Sequence, residues 1–257
     1  MKIAVLVKQV PDHEALVLAR GDGTLEIEDR WATNFFDEIA IEQALRLEAV
    51  QGGEVIALSA GAGRNTDALR RALAMGADGA ILVSDPALAA ADGLGTARAL
   101  AACLRELGPD LVLCGRVALD DEMGLVGPAV AEILGWPHVA AVTALEVDGK
   151  AFRAVRLVEG GRESIEGQLP VLIAAAKGLA EPRVPKVMQV MKASRAAMRT
   201  RTLADLGVDP GSVAPLVRTR VFERPPARPP VRMMEGEPGD RVRELASILV
   251  SAAGGRR

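Results

Sequence analysis

Continuous apolar runs alternate along the first part of the chain with stretches whose apolar residues recur every three or four positions. Ile3 to Val7 (IAVLV) is the first run, as expected for a central strand covered on both faces. It stops at Lys8-Gln9-Val10-Pro11-Asp12-His13, where Pro11 is expected to end regular pairing. Leu16 to Ala19 and Thr24 to Ile27 flank the turn residues Gly21-Asp22-Gly23 and predict an inserted hairpin. Asn34 is placed to cap the next helix, with Asp37 in its first turn where a carboxylate favours the dipole. Ala40, Ile41, Ala44, Leu45 and Leu47 form its inward stripe, Glu42 and Arg46 read as an exposed i,i+4 pair, and Gly52-Gly53 ends it.

Glu54 to Leu58 predicts a second strand, followed by the small-residue loop Ser59-Ala60-Gly61-Ala62-Gly63 and a helix from Thr66 to Met75 closed by Gly76. Ala80 to Val83 is a third strand, and Gly95 to Leu107 a helix stopped by Gly108-Pro109. The run Leu111 to Cys114 then breaks at Gly115 into a polar loop, which ends where a new helical pattern starts near Gly124 to Pro128 and runs to Leu134. In an open parallel sheet such a loop lies at the carboxyl end of a strand, and the helix after it aims unpaired N–H groups at anions, so a nucleotide phosphate fits there. A plain crossover loop whose glycines only make the turn is the other reading.

After Val142 the pattern changes. Ala144 to Val147, Phe152 to Val158 and Glu163 to Gln168, joined by Asp148-Gly149 and Glu159-Gly160-Gly161, predict a strand meander, and Pro170 to Ala174 one more core strand. His138, after Pro137, stands at the entrance to a short strand. From Glu181 the chain becomes linker-like, rich in Pro and Arg, with a mostly apolar run at Val187 to Met191. Such a segment has no core of its own and must lie on the domain, lie on a partner or stay mobile. Gly239 to Ser251, with Val242, Leu245, Ile248 and Leu249 on one side, predicts a closing helix. The expectation is an α/β domain over residues 1–180, an open, mostly parallel sheet with helices on both faces and a small meander, followed by an extended arm over residues 181–257.

Composition narrows the chemistry. The net charge of −3 gives no electrostatic case for nucleic acid, and the arginines of the arm alternate with Pro and Glu without interleaved aromatics. No apolar run reaches the ~18 residues needed to cross a bilayer and the amino terminus lacks a signal-peptide pattern, so a soluble, cytoplasmic protein is expected. Cys103 and Cys114 are in no metal-ligand spacing and read as buried thiols, and with two histidines neither a zinc site nor a Ser-His-Asp set is expected. Asp120, Asp121 and Glu122 have two readings, an acid/base or magnesium cluster and a solvated acidic rim, of which the rim suits a loop feeding a helix better. The chain has no Tyr, yet Trp31, Phe35 and Phe36 fall close together, either as a surface for a ring or partner or as a satellite core.

Five segments carry a family resemblance: AVRLVEGGRESIEGQLPVLIAAAKGLAEPR (Ala154 to Arg183), VKQVPD (Val7 to Asp12), NFFDEIAIEQALRL (Asn34 to Leu47), ALRRALAMGAD (Ala68 to Asp78) and DLVLCGRVALDD (Asp110 to Asp121). Together they resemble the electron-transferring flavoprotein (ETF) beta subunit. The resemblance implies a Rossmann-like, adenine-nucleotide alpha-hydrolase-like fold and a heterodimer with an ETF alpha subunit, an electron carrier and not an enzyme in itself. It implies transfer of electrons from dehydrogenases, typically acyl-CoA dehydrogenases of fatty acid oxidation, to a membrane ETF-quinone oxidoreductase, with no insertion of this chain into the membrane. One FAD is implied at the subunit boundary, mainly on the alpha subunit, and a buried AMP in the beta subunit. The AMP positions carry over to Leu6, to Asn34, Phe35, Phe36 and Asp37, to Ala60, and to Gly115, Arg116, Val117, Ala118, Leu119, Asp120, Asp121, Glu122, Met123, Gly124, Leu125 and Val126.

His13 and Phe36 correspond to positions near the FAD; where some relatives have Tyr this chain has His13, placed either to modulate the flavin or simply exposed. Many relatives have Asn-Pro-Phe where Asn34-Phe35-Phe36 stands, and glutamines where Val117 and Leu125-Val126 stand, which leaves the backbone N–H groups of the loop as the donors to phosphate. The resemblance makes Val184 to Lys192 a recognition loop for the dehydrogenase, with Val187 as its apolar anchor beside Met188, Met191 and Lys192; methionine adapts to varied pockets. Two other classes remain open: a bifurcating relative with a second FAD in place of AMP, whose Asp-Thr motif is replaced here by Ala91-Asp92-Gly93-Leu94, and a stand-alone adenine-nucleotide enzyme, whose glycine loop would follow the first strand and not the second.

Overall fold

The computed structural model describes residues 1–61 and 65–254; Ala62 and Gly63 of the second small-residue loop lie outside them. In chain order the elements are β1 (Lys2–Leu6), β2 (Gln9–Pro11), β3 (Val17–Ala19), β4 (Leu25–Ile27), β5 (Trp31–Thr33), α1 (Phe35–Gln51), β6 (Glu54–Ala60), α2 (Thr66–Met75), β7 (Gly79–Val83), α3 (Gly93–Leu107), β8 (Leu111–Gly115) and α4 (Val126–Leu134). They continue with β9 (His138–Asp148), β10 (Ala151–Val158), β11 (Gly161–Gln168), β12 (Val171–Ala175), α5 (Val187–Arg195), β13 (Arg199–Arg201) and α6 (Pro238–Gly254). Met1 to Phe222 form one compact unit; Glu223 to Arg257 form a second, in which α6 is the helix.

Among the described residues, nine strands make one sheet in the order β11-β10-β9-β12-β8-β1-β6-β7-β13. Pairing is parallel from β13 through β12 to the first part of β9, and antiparallel through β10 to β11. Alternation along β1 feeds two cores. Ile3, Val5 and Val7 pack with α1 and α2 on one face, while Ala4 and Leu6 pack with α3 and α4 on the other. The open, mostly parallel sheet with helices on both faces is therefore the expected one.

Several local expectations fail. Pro11 does not end pairing: Gln9–Pro11 makes a short antiparallel ribbon with Trp31–Thr33, and an isolated two-stranded ribbon tolerates the missing N–H at its end. Asn34 stands at the N-cap position, yet its side chain makes no cap hydrogen bond. Glu42 is not exposed but buried, because Arg183 (2.6 Å) and Arg46 (2.9 Å) both reach it and satisfy its carboxylate. The short strand at His138 and the strand at Ala144 are a single strand, β9; a bulge at Ala141 (φ 57°) lets its first half pair with β12 and its second with β10.

Part of the linker-like segment lies on the sheet domain. Helix α5 packs on α2, where the Arg70 guanidinium donates to the carbonyls of Ala193 and Ser194. Strand β13 extends the sheet beside β7, and Leu203 and Val213 are buried in the second core.

Candidate functional site

Chain order and sheet order diverge beside β1. From β1 the chain steps outward to β6 and β7, then returns through α3 to β8 on the other side. Loops leaving β1 and β8 therefore separate at their carboxyl ends, the place where open α/β sheets bind ligands. A cavity of about 830 Å³ opens there. Its floor is Leu6, Val7 and Lys8 from β1 and beyond, and Ser59 and Ala60 from β6. Residues 90–93, Thr96 and Leu100 form one side, Asp121, Met123, Leu125 and Val126 another, and the segment carrying Pro215, Val217, Arg218 and Thr219 completes the wall. A recess of about 70 Å³ is enclosed by the loop after β8, from Gly115 to Ala118 and from Met123 to Gly127, with Asp37, Gly93 and Asp121.

One buried cluster holds these strand ends in register. Asp37 Oδ2 accepts from the Lys8 N–H (2.8 Å), and Oδ1 from the Gly115 N–H (2.9 Å) and the Asn34 amide (3.0 Å). Asn34, 1% exposed, donates to the Val117 carbonyl (2.9 Å) and accepts from the Leu119 N–H (3.2 Å). The Asx pair at the start of α1 thus ties β1, β8 and the loop together; this replaces the expected cap. Gly115 is required by closeness: a Cβ there would lie 2.3 Å from Asp37 Oδ1 and 2.8 Å from the Phe36 Cβ. Ser59 Oγ donates to the Val7 carbonyl (2.7 Å), and Asn65 links the Ala60 carbonyl (2.8 Å) to the Gln9 N–H (3.3 Å).

Burial pushes the Asp37 carboxyl up to about 7, against the lowering effect of the Asn34, Lys8 and Gly115 donors and the Lys8 charge. Burial also disfavours the charged Lys8 ammonium, but Asp120 (2.8 Å) and Asp121 (3.1 Å) hold it and leave its pKa above the usual lysine value. Asp120, Asp121 and Glu122 are exposed, as a solvated acidic rim would be, and two of their carboxylates close on Lys8.

Of the positions implied for AMP, Leu6, Asp37, Ala60, Asp121, Met123, Leu125 and Val126 line the large cavity, and Gly115, Arg116, Val117, Ala118 and Gly124 the recess. Asn34, Phe35, Phe36, Leu119, Asp120 and Glu122 line neither. Asn34 supports the loop from behind, and Glu122 sits in it with φ 49°. Phe35 is exposed and meets half-buried Phe36 edge to face at 5.5 Å, with the Arg116 guanidinium 5.7 Å above the Phe36 ring. Trp31 is on the ribbon, its indole N–H bonded to Asp29 (2.8 Å), so the aromatic cluster belongs to the rim and not to the cavity. His13 is exposed between Asp12 and Glu14. Both cysteines are buried thiols, as expected, and burial pushes Cys103 up to about 11 and Cys114 higher still.

Reading the sequence missed Lys8, Asn65, Asp92, Thr96 and Arg218. Lys8 had a signal, since it follows the first strand of a parallel sheet; Arg218, so far along the chain, had none. Among the described residues, no helix is long and apolar enough to cross a membrane.

Fold and site define an α/β protein with a cavity of ligand size at the switch point of its sheet. Residues 23–206 match the family described as "Electron transfer flavoprotein domain". The electron transfer flavoprotein subunit beta of Bacillus subtilis (strain 168) is 34% identical over 254 residues, 98% of this chain and 99% of the relative. That of Thermoanaerobacterium thermosaccharolyticum is 39% identical over 211 residues, 81% of each chain, and the human subunit beta 35% identical over 234 residues, 89% of this chain and 90% of the relative. The chain belongs to the electron transfer flavoprotein family, as a beta subunit.

Proposed function

We propose that the chain is the nucleotide-holding half of a heterodimeric electron carrier, paired with an alpha subunit, with one FAD at the subunit boundary and AMP in the cavity at the ends of β1, β6 and β8. The heterodimer takes electrons from dehydrogenases, typically acyl-CoA dehydrogenases, and passes them to a membrane quinone oxidoreductase. The observation that carries the reading is the coincidence of the cavity with positions that the family resemblance assigns to AMP. The lining also suits such a guest: Leu6, Leu100, Met123 and Leu125 offer apolar walls for a base, and Asn65, Thr96 and Arg218 offer polar groups for ribose and phosphate.

FAD, when bound, supplies the electron chemistry, and the protein holds and orients it. This chain's contribution to that boundary is the rim at His13 and the Arg116–Phe36 stack. Docking of the dehydrogenase falls to α5, whose Val187 and Met188 are 75% and 81% exposed. The test is the absorbance spectrum and extracted nucleotides of the chain purified with its partner: one flavin and one AMP per heterodimer are expected. A second reading is favoured by the cavity's size, near the upper end of the roughly 300–1,000 Å³ usual for ligand sites. There is room for more than a mononucleotide, and a second FAD, as in a bifurcating relative, would give two flavins and no AMP. A heterodimer with neither AMP nor a second flavin overturns both.

A further inference from the structure

We propose that Arg218 is the phosphate-recognising cation of this cavity, held over it by a strap, residues 212–219, that Asp92 fastens to α3; the proposal rests on the nucleotide reading above. Asp92 Oδ1 accepts from the Gly95 N–H (2.9 Å) at the start of α3, while Oδ2 accepts from the backbone N–H groups of Leu216 (2.8 Å) and Val217 (3.2 Å). One carboxylate thus caps the helix and pins the strap, and the hydrogen bond from Gly95 is the largest influence holding it below the usual aspartate range. One turn further along α3, the Arg98 guanidinium donates to the Ser212 carbonyl. Buried Val213 anchors the strap's start, and its carbonyl lies so near α3 that a Cβ on Gly95 would come within 2.4 Å of it. The strap's position is therefore built from both sides: a carboxylate grips it and a glycine lets it sit close.

Charge then singles out Arg218. The cations among the described residues lining the large cavity are Lys8 and Arg218; Arg116 lines only the recess, and its guanidinium lies over the Phe36 ring. Lys8 is held by Asp120 and Asp121, and Asp92 is satisfied by three backbone donors. Asp37 also lines the cavity but is satisfied by its own three donors. Arg218 has neither ion pair nor hydrogen-bond partner among the described residues, although carboxylates share the cavity. An unpaired guanidinium on a fixed strap presents a planar fork of N–H donors, the geometry that grips a phosphate through two bonds at once. A base or ribose has no use for that fork; a nucleoside phosphate does.

The experiment titrates the nucleotide-free heterodimer with AMP and with adenosine by calorimetry. In Arg218→Gln, AMP binding weakens about tenfold or more, the scale of a lost charge-assisted contact, while adenosine binding stays at the parental value. Arg218→Lys recovers part of the loss, and Arg220→Gln, on the same segment but outside the cavity lining, behaves as the parent. AMP binding unchanged in Arg218→Gln, or AMP and adenosine weakened equally, overturns the proposal while leaving the nucleotide reading in place. A parent that binds neither ligand overturns the nucleotide reading, and the proposal with it.

Discussion

Asp37 carries its carboxyl in the interior, and its titration has a definite sign. With a folded pKa of about 7 against an ordinary 3.8, it binds more protons folded than unfolded between those values. Its contribution to stability is full below about pH 4 and is lost as pH rises through 7. Glu42 works oppositely: burial pushes it up, but Arg183 and Arg46 outweigh that and bring it below its ordinary 4.5, so its contribution is present above that value and lost in acid. We expect Asp37→Asn to flatten the pH dependence of stability, by a few kcal/mol at most. Urea unfolding of parent and variant at pH 5 and pH 8 checks this; a stability difference that is the same at both pH values removes Asp37 as the titrating group. Asn34→Ala strands the part-buried Val117 carbonyl and Leu119 N–H and should cost about 1 kcal/mol and lower nucleotide retention. Unchanged melting and nucleotide content would place the loop's support elsewhere. Asn34 and Asp37 were legible as important from their place before the helical stripe. Their action was not, since a cap and a cross-strand staple use the same residue types, and only the packing of Gly115 against them decides between the two.

At the scale of elements, long periodic segments were legible, and among the three-residue strands only β3 and β4, whose turn residues Gly21-Asp22-Gly23 announced the hairpin. The strands flanking the cavity and helices α1 to α4 follow from apolar runs and glycine stops, with bounds moved by two residues or fewer. Strands β2, β5 and β13 are too short to carry a period, and β13, Arg-Thr-Arg, owes its existence to the open edge of β7. The exposed reading of Glu42 failed because its partner Arg183 lies across the fold and not along the helix. Helix α5 turns Val187, Met188, Val190 and Met191 outward while Ala193 is buried. Removing exposed side chains costs little stability, so Val187→Ala with Met188→Ala should leave melting, assembly and flavin content nearly unchanged. The same change should raise the half-saturating dehydrogenase concentration about tenfold, the worth of a small apolar anchor. Steady-state assays across dehydrogenase concentration check this, and parental kinetics would remove α5 from docking.

For the whole molecule, the clustered aromatics Trp31, Phe35 and Phe36 lie outside the cavity lining, and the cavity sits at the strand ends. The chain purified without its partner is therefore expected to be colourless, its absorbance free of flavin; a tightly yellow isolated chain would favour the two-flavin reading. The alternation of strand and helix made the sheet legible, and the switch point beside β1 follows from that alternation. The last wall of the cavity was not legible, because nothing in a Pro- and Arg-rich stretch says which surface it will cross. That wall has a consequence in time. A ribosome delivers eight of the nine sheet strands before residue 199, and the strap only afterwards. While the nascent chain waits for those last residues, the cavity lacks the wall that carries Pro215, Val217, Arg218 and Thr219.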